Sequence, residues 1–246
     1  MTTLKNKVAI VTGSSKGIGA QIAILLAEAG AKTVINYAND DAAANEIVDK
    51  IKATGGEAIA VQADVSDTKQ VKTLFDTTIS EFGKPDILVN SAGIIICKTI
   101  EETTDEDFDR IFSTNVKGTF NTLRQAAAKL NDGGRVINLS STTTRMMLPT
   151  YGSYCATKGA VEQLTRIFAK EVGARKITVN TVSPGPTDTE LFHQGKADET
   201  IEQLASMSAF NRIGEPIDIA RVVLFLASEE AAWVTGQNIG TNGGVA

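Results

Sequence analysis

The sequence predicts one α/β domain spanning 1–246, a doubly wound parallel sheet of about seven strands with helices on both faces. Three observations predict it. Short apolar runs recur without the polar alternation of a half-exposed sheet, which marks strands covered on both sides. Stretches with apolar residues three and four positions apart separate these runs. No linker, internal repeat or low-complexity tract breaks the alternation along the 246 residues, a length that holds a single core of this kind.

The first run, Val-Ala-Ile-Val at 8–11, is followed by a helical pattern over 18–29. Strands are then expected at 33–35, 58–61, 87–89, 136–139, 177–182 and 238–239, with helices at 41–53, 68–81, 106–129, 151–172 and 217–227. Parallel neighbours require crossovers, and right-handed crossovers distribute the helices over both faces. The stretch 187–208 lacks a clear period and is expected to be a loop with helical patches, a candidate substrate lid.

Composition narrows the partners. With 24 Lys+Arg against 29 Asp+Glu the net charge is -5, so no field draws nucleic acid or an anionic membrane. No apolar run reaches the roughly 20 residues of a membrane span, and the N-terminus shows no leader pattern. Cys97 and Cys155 stand in no metal-ligand or disulfide spacing. A soluble cytoplasmic protein without a metal, acting on a small molecule, is expected.

Residues 12–19, Thr-Gly-Ser-Ser-Lys-Gly-Ile-Gly, join the first strand to the first helix. There a pyrophosphate meets backbone N–H groups and a helix N-terminus. Contacts to a dinucleotide are expected from Gly13, Ser15, Lys16, Gly17, Ile18 and Gly19, with Gly13 in the tight turn and Gly17 giving close backbone approach. The same residues match G-x-S-x-G, the nucleophile elbow of serine hydrolases. A hydrolase needs a histidine after the serine, and the chain has only His193, in the irregular stretch.

Dinucleotide folds that take NAD place an acid at the end of the second strand, on the ribose 2′-OH. Here that position reads Asn36, Tyr37, Ala38, Asn39, and these four are expected to contact the cofactor. No carboxylate repels a 2′-phosphate at the strand end, and Lys16 carries a charge that neutralises one, so NADP(H) is expected over NAD(H). Asp40 and Asp41 follow closely.

Tyr154 and Lys158, four residues apart in an expected helix, share one face. Hydride reduction of a carbonyl leaves an oxyanion that must take a proton, and an ammonium beside a phenol favours its ionised form. An isolated Tyr-x-x-x-Lys also arises from a tyrosine packed on a lysine stem. Ser141 ends the 136–139 strand at the carboxyl edge, where open sheets bind ligands, and is placed to bond the substrate oxygen. Asn115 interrupts the 106–129 helix, and its amide is expected to hold a water on the way to Lys158, or to be structural.

With these residues assembled, the chain resembles the short-chain dehydrogenase/reductase family, including its 3-oxoacyl-acyl-carrier-protein reductase-like and carbonyl reductase members. The glycine signature falls on 12–19, the Tyr-x-x-x-Lys pair on Tyr154 and Lys158, the catalytic serine on Ser141 and the fourth catalytic position on Asn115. The resemblance implies a Rossmann-like fold. It also implies Asp64 and Val65 beside the adenine, Asn90, Ala92 and Gly93 under the cofactor, Pro184, Gly185 and Thr187 near the carboxamide, and Lys158 on the nicotinamide ribose. A homotetramer built through the two long helices is implied too. Ser91 departs from the family's Asn-Asn-Ala-Gly, which puts the local hydrogen bonding in question. The expected activity is hydride transfer between NADP(H) and a carbonyl or secondary alcohol. A non-catalytic nucleotide-binding redox sensor would use the same glycine loop without needing Ser141, Tyr154 and Lys158.

Overall fold

The computed structural model describes residues 3–194 and 196–246. In chain order the strands are β1 (Val8–Thr12), β2 (Lys32–Tyr37), β3 (Ala58–Gln62), β4 (Ile87–Asn90), β5 (Arg135–Leu139), β6 (Thr178–Pro184) and β7 (Asn238–Thr241). The helices are α1 (Gly17–Glu28), α2 (Asp41–Ala53), α3 (Thr68–Phe82), α4 (Asp105–Phe112), α5 (Gly118–Lys129), α6 (Thr143–Met146), α7 (Gly152–Glu171), α8 (Glu190–His193), α9 (Asp198–Ser206) and α10 (Pro216–Ala227). The seven strands form one sheet in the order β3-β2-β1-β4-β5-β6-β7, with every pairing parallel. The doubly wound sheet expected from the apolar runs is present.

Side-chain alternation divides the core between the two faces. Ala9 and Val11 of β1, Ile35 of β2 and Val89 of β4 pack with Ile22, Leu26, Ile47, Ile219 and Val223 from α1, α2 and α10. Ile10, Val34 and Leu88, one residue out of step, pack on the other face with Leu74, Phe75, Leu123 and Phe168 from α3, α5 and α7. Burying such a side chain is worth about 1.5–3 kcal/mol. A charge on either set of strand residues would therefore disrupt one layer and leave the other packed.

Helix starts follow local chemistry. Asp40 caps α2 by accepting from the Ala43 amide, Asp67 caps α3 through the Lys69 and Gln70 amides, and Thr104 caps α4 through the Asp107 amide. The helix expected over 106–129 is divided, because a π-helical turn at Ser113–Lys117 separates α4 from α5. Asn115 lies in that turn and is fully buried.

A buried polar chain locks α5 and α7 onto the sheet. Thr122 donates to Asn90 Oδ1 at 2.7 Å, Asn90 Nδ2 donates to Asn138 Oδ1 at 2.8 Å, and Asn138 Nδ2 donates to Thr165 Oγ1 at 2.8 Å. Each group finds a partner, so this polar layer avoids the penalty of an unsatisfied buried amide. Strand order reverses between β1 and β4, and the crevice beyond their carboxyl ends is where the fold offers a ligand site.

Candidate active site

That crevice opens into a cavity of about 440 Å³, within the size range of small-molecule sites. Its lining includes Gly13, Ser15, Lys16, Gly17, Ile18 and Gly19 from the glycine loop, Ala92 and Gly93 after β4, and Pro184, Gly185 and Thr187 after β6. Ser141, Tyr154 and Lys158 line it as well. Residues from four regions of the sequence are thus brought to one place.

The glycine loop is shaped to leave backbone exposed to a ligand. Gly13 and Gly17 each adopt φ +60, and a Cβ on Gly13 would lie 2.6 Å from the Ala92 Cα. Lys16, at the N-cap of α1, makes no side-chain cap, and the first turn carries no acid, so the first amides remain available for an anion. Two residues outside the expected set fix this loop. Thr12 Oγ1 accepts from the Ser91 and Ala92 amides at 3.1 Å each, and Ser14 Oγ donates to the Val11 carbonyl at 2.7 Å. Because Thr12 holds the 91–92 backbone, the Ser91 departure leaves that anchor in place.

The second strand end behaves differently from the expected contact set. Asn36 is buried and spends its amide on the scaffold, accepting from the Gly13 amide and donating to the Val61 and Ala63 carbonyls. Tyr37 is buried, and its hydroxyl donates to Asp41, which pushes the Tyr37 pKa up. Ala38 and Asn39 are exposed beyond the strand. Both nearby acids are occupied, Asp40 as the α2 cap and Asp41 by Tyr37. Asp64 is exposed, whereas Val65 is buried against Gly118, where a Cβ would meet its Cγ2 at 2.6 Å. Asn36, Tyr37, Ala38, Asn39, Asp64, Val65 and Asn90 lie outside the cavity lining.

Lys158 and Tyr154 face one another. The Lys158 Nζ lies 5.6 Å from the Tyr154 ring centroid and donates to the Leu139 carbonyl at 2.8 Å. Gly93 keeps this corner open, since a Cβ there would approach Asn115 Oδ1 to 3.2 Å and Lys158 Nζ to 3.6 Å. The Ser141 hydroxyl faces Tyr154 closely enough to pull its pKa down, and Ser141 accepts from Thr143 Oγ1 at 2.8 Å. Burial dominates the electrostatics of the pair. It pushes Tyr154 up to about 12 against the opposing pull of Ser141, and it pulls Lys158 down to about 8. The expected depression of the phenol by the ammonium is not seen: the shift is upward and desolvation is its largest cause.

Of the two uses expected of Asn115, its side chain takes the structural one. Its Oδ1 accepts from the Ile94 amide at 2.8 Å, and its Nδ2 donates to the Ile94 carbonyl at 2.9 Å and to Thr157 Oγ1 at 3.1 Å. Both amide hydrogens are spent on protein, so the side chain braces the loop after β4 instead of donating to a water. The π turn supplies the reason, because it rotates Asn115 toward Ile94 and α7. His193 pairs with Asp188 at 2.6 Å and lies outside the cavity that Ser15 lines, so the hydrolase triad is not assembled.

Above the cavity, α8 and α9 occupy the segment expected to be irregular, of which Gly195 lies outside the described residues. Glu190, Leu191, Phe192, Lys196 and Leu204 line the cavity from this side. Lys16 reaches Glu190 at 3.2 Å, an exposed pair that ties the glycine loop to α8 but is worth little stability.

Comparison with known proteins adds the following. The family profile described as Enoyl-(Acyl carrier protein) reductase matches residues 13–246. The chain is 49% identical to the chloroplastic NADPH-dependent aldehyde reductase-like protein of Arabidopsis thaliana, covering 98% of this chain and 94% of that protein. It is 47% identical to an uncharacterized oxidoreductase of Methylorubrum extorquens, covering the whole of both. Among solved structures, the angucycline C-6 ketoreductase LanV with bound NADP superimposes with a TM-score of 0.94 at 41% identity, covering 99% of this chain and 97% of that one.

Proposed function

We propose, from the premise that this chain belongs to the short-chain dehydrogenase/reductase family, that it is an NADP(H)-dependent reductase of small ketones or aldehydes, also able to oxidise the corresponding alcohols. The observation that carries this reading is the meeting of Tyr154, Ser141 and Lys158 with the glycine loop in one cavity.

The residues fit a dinucleotide. Gly13 and Gly17 leave room for phosphate, and the uncapped start of α1 presents amides to it. When bound, the nicotinamide supplies a hydride to the carbonyl carbon. Tyr154 then donates its hydroxyl proton to the oxygen that becomes the alcohol, a step general acids accelerate by about 10²–10⁴-fold. Ser141 orients that oxygen through its hydroxyl. Lys158 stabilises the tyrosinate left behind, and its own lowered pKa makes it responsive to that new negative charge. Asn115 acts at one remove, by holding Ile94 and Thr157 in place.

The lack of a free carboxylate at the end of β2 supports NADP over NAD, as do the NADP-bound ketoreductase and the NADPH-dependent relative. Arg175 donates to Asp132 at 2.7 Å and to the Ala127 carbonyl at 2.6 Å. Its charge is spent within the chain, which favours a free ketone over a carrier-bound 3-oxoacyl group. The 187–208 segment acts as the substrate lid, the working assembly is a homotetramer, and the protein acts in the cytoplasm. Consumption of NADPH and NADH, measured against ketones, aldehydes, acetoacetyl and crotonyl thioesters, tests the reading. A higher kcat/KM with NADPH and with ketones is expected. Preference for NADH would overturn the cofactor assignment, and an inert panel would favour a redox-sensing module.

A further inference from the structure

The substrate half of the cavity is largely apolar, with Ile94, Ile95, Met146, Leu148 and Leu204 in its wall. Among them stands Tyr151, a half-buried phenol for which the reduction just described has no use. Its ring meets that of Tyr154 edge-on, with centroids 6.3 Å apart, so a fused-ring ketone presented to Tyr154 lies alongside both phenols.

Tyr151 is held in this position. Met147 and Thr150 adopt left-handed backbone, with φ 53 and φ 69, a conformation unfavourable for a residue with a side chain. They bracket Leu148 and Pro149 and turn the chain so that Leu148 and Tyr151 reach the cavity while Met147 is left exposed. The Lys98 amide donates to the Thr150 carbonyl at 2.9 Å, fastening this turn to the loop after β4. That loop also carries Cys97, which after burial is among the groups that raise the Tyr151 pKa. Sulfur is a weak donor and a weak acceptor, so the phenol keeps most of its bonding capacity for a stronger partner. Burial raises its pKa, and it stays neutral and able to donate.

We propose that Tyr151 is a specificity-determining residue that hydrogen-bonds a second oxygen of the substrate, so that the cavity selects apolar ring ketones bearing a further hydroxyl or carbonyl. The assignment rests on the carbonyl reduction proposed above. A site built to bond a substrate oxygen discriminates against the analogue that lacks it, because its own polar group is then left without a partner in an apolar wall.

The test compares 1-tetralone with a series of hydroxytetralones in which the hydroxyl moves around the rings, using NADPH and both the parent chain and Tyr151→Phe. At least one hydroxytetralone is expected to exceed 1-tetralone in kcat/KM by about tenfold or more, with the difference mainly in KM. Tyr151→Phe should bring that ratio close to one. Thermal unfolding and NADPH titration establish that the variant is folded. Cys97→Ala, which removes the neighbouring thiol, should retain or raise the ratio. Equal losses on both substrates in Tyr151→Phe, or turnover with no preference anywhere in the series, would overturn the role of Tyr151 while leaving carbonyl reduction intact. Failure of every ketone and aldehyde would overturn both.

Discussion

Lys158 sits where function and stability oppose one another. It is 7% exposed, and burial pulls its pKa to about 8. Between that value and the ordinary lysine pKa near 10.4 the unfolded chain holds a proton that the folded chain has released, so stability from this group rises as pH climbs through the window. Tyr154 acts in the opposite sense at higher pH. Its folded pKa of about 12 exceeds the ordinary phenol value near 10, and stability from it is lost as pH rises through that interval. Urea unfolding of the parent and of Lys158→Met therefore separates the two. From about pH 8 to about pH 10 the parent should gain on the variant by an amount on the order of 2 kcal/mol. A difference independent of pH would contradict the buried, weakly basic Lys158 described here.

At the scale of elements, the catalytic geometry depends on how α7 grips the segment after β5. Glu162, one turn beyond Lys158, accepts from Ser140 Oγ at 2.8 Å and from Thr144 Oγ1 at 3.1 Å, fastening both sides of Ser141. Glu162→Ala should lower kcat about tenfold with the KM for NADPH nearly unchanged, since small misplacements of reacting groups carry costs of this order. Glu162→Gln keeps an accepting oxygen and should restore most of the rate. Wild-type kcat in the alanine variant would show that the clamp has no part in placing Ser141. This contact illustrates what a linear reading misses. Strands such as β1 and β4 were legible because apolar runs report burial directly, and the glycine loop because its residue types have few other uses. Tyr154 and Lys158 were legible because helical spacing alone brings them together. Asn36, Asn90 and Asn115 were assigned roles toward ligand or water, yet their amides bind protein groups on other strands and loops. Those partners are set by tertiary packing, so no local pattern announces them. The π turn at Ser113–Lys117 likewise leaves little trace in an otherwise helical period.

At the scale of the whole molecule, the apolar residues of the long helices divide between two destinations. Leu123 and Phe168 are buried under the sheet, whereas Phe120 and Ile167 remain about half exposed at 48% and 57%. In the proposed homotetramer these outer residues would meet a second copy. Light scattering should give about four times the 26.0 kDa chain mass, and Phe120→Asp should shift it to a smaller species; a monomeric parent would contradict the assembly. Whether Tyr154 is the proton donor is read from the decay of nicotinamide absorbance in parent and Tyr154→Phe, with a reducible ketone. The variant should still bind NADPH and lose about 10²–10⁴-fold in kcat. Turnover in Tyr154→Phe at the parent rate would contradict the account.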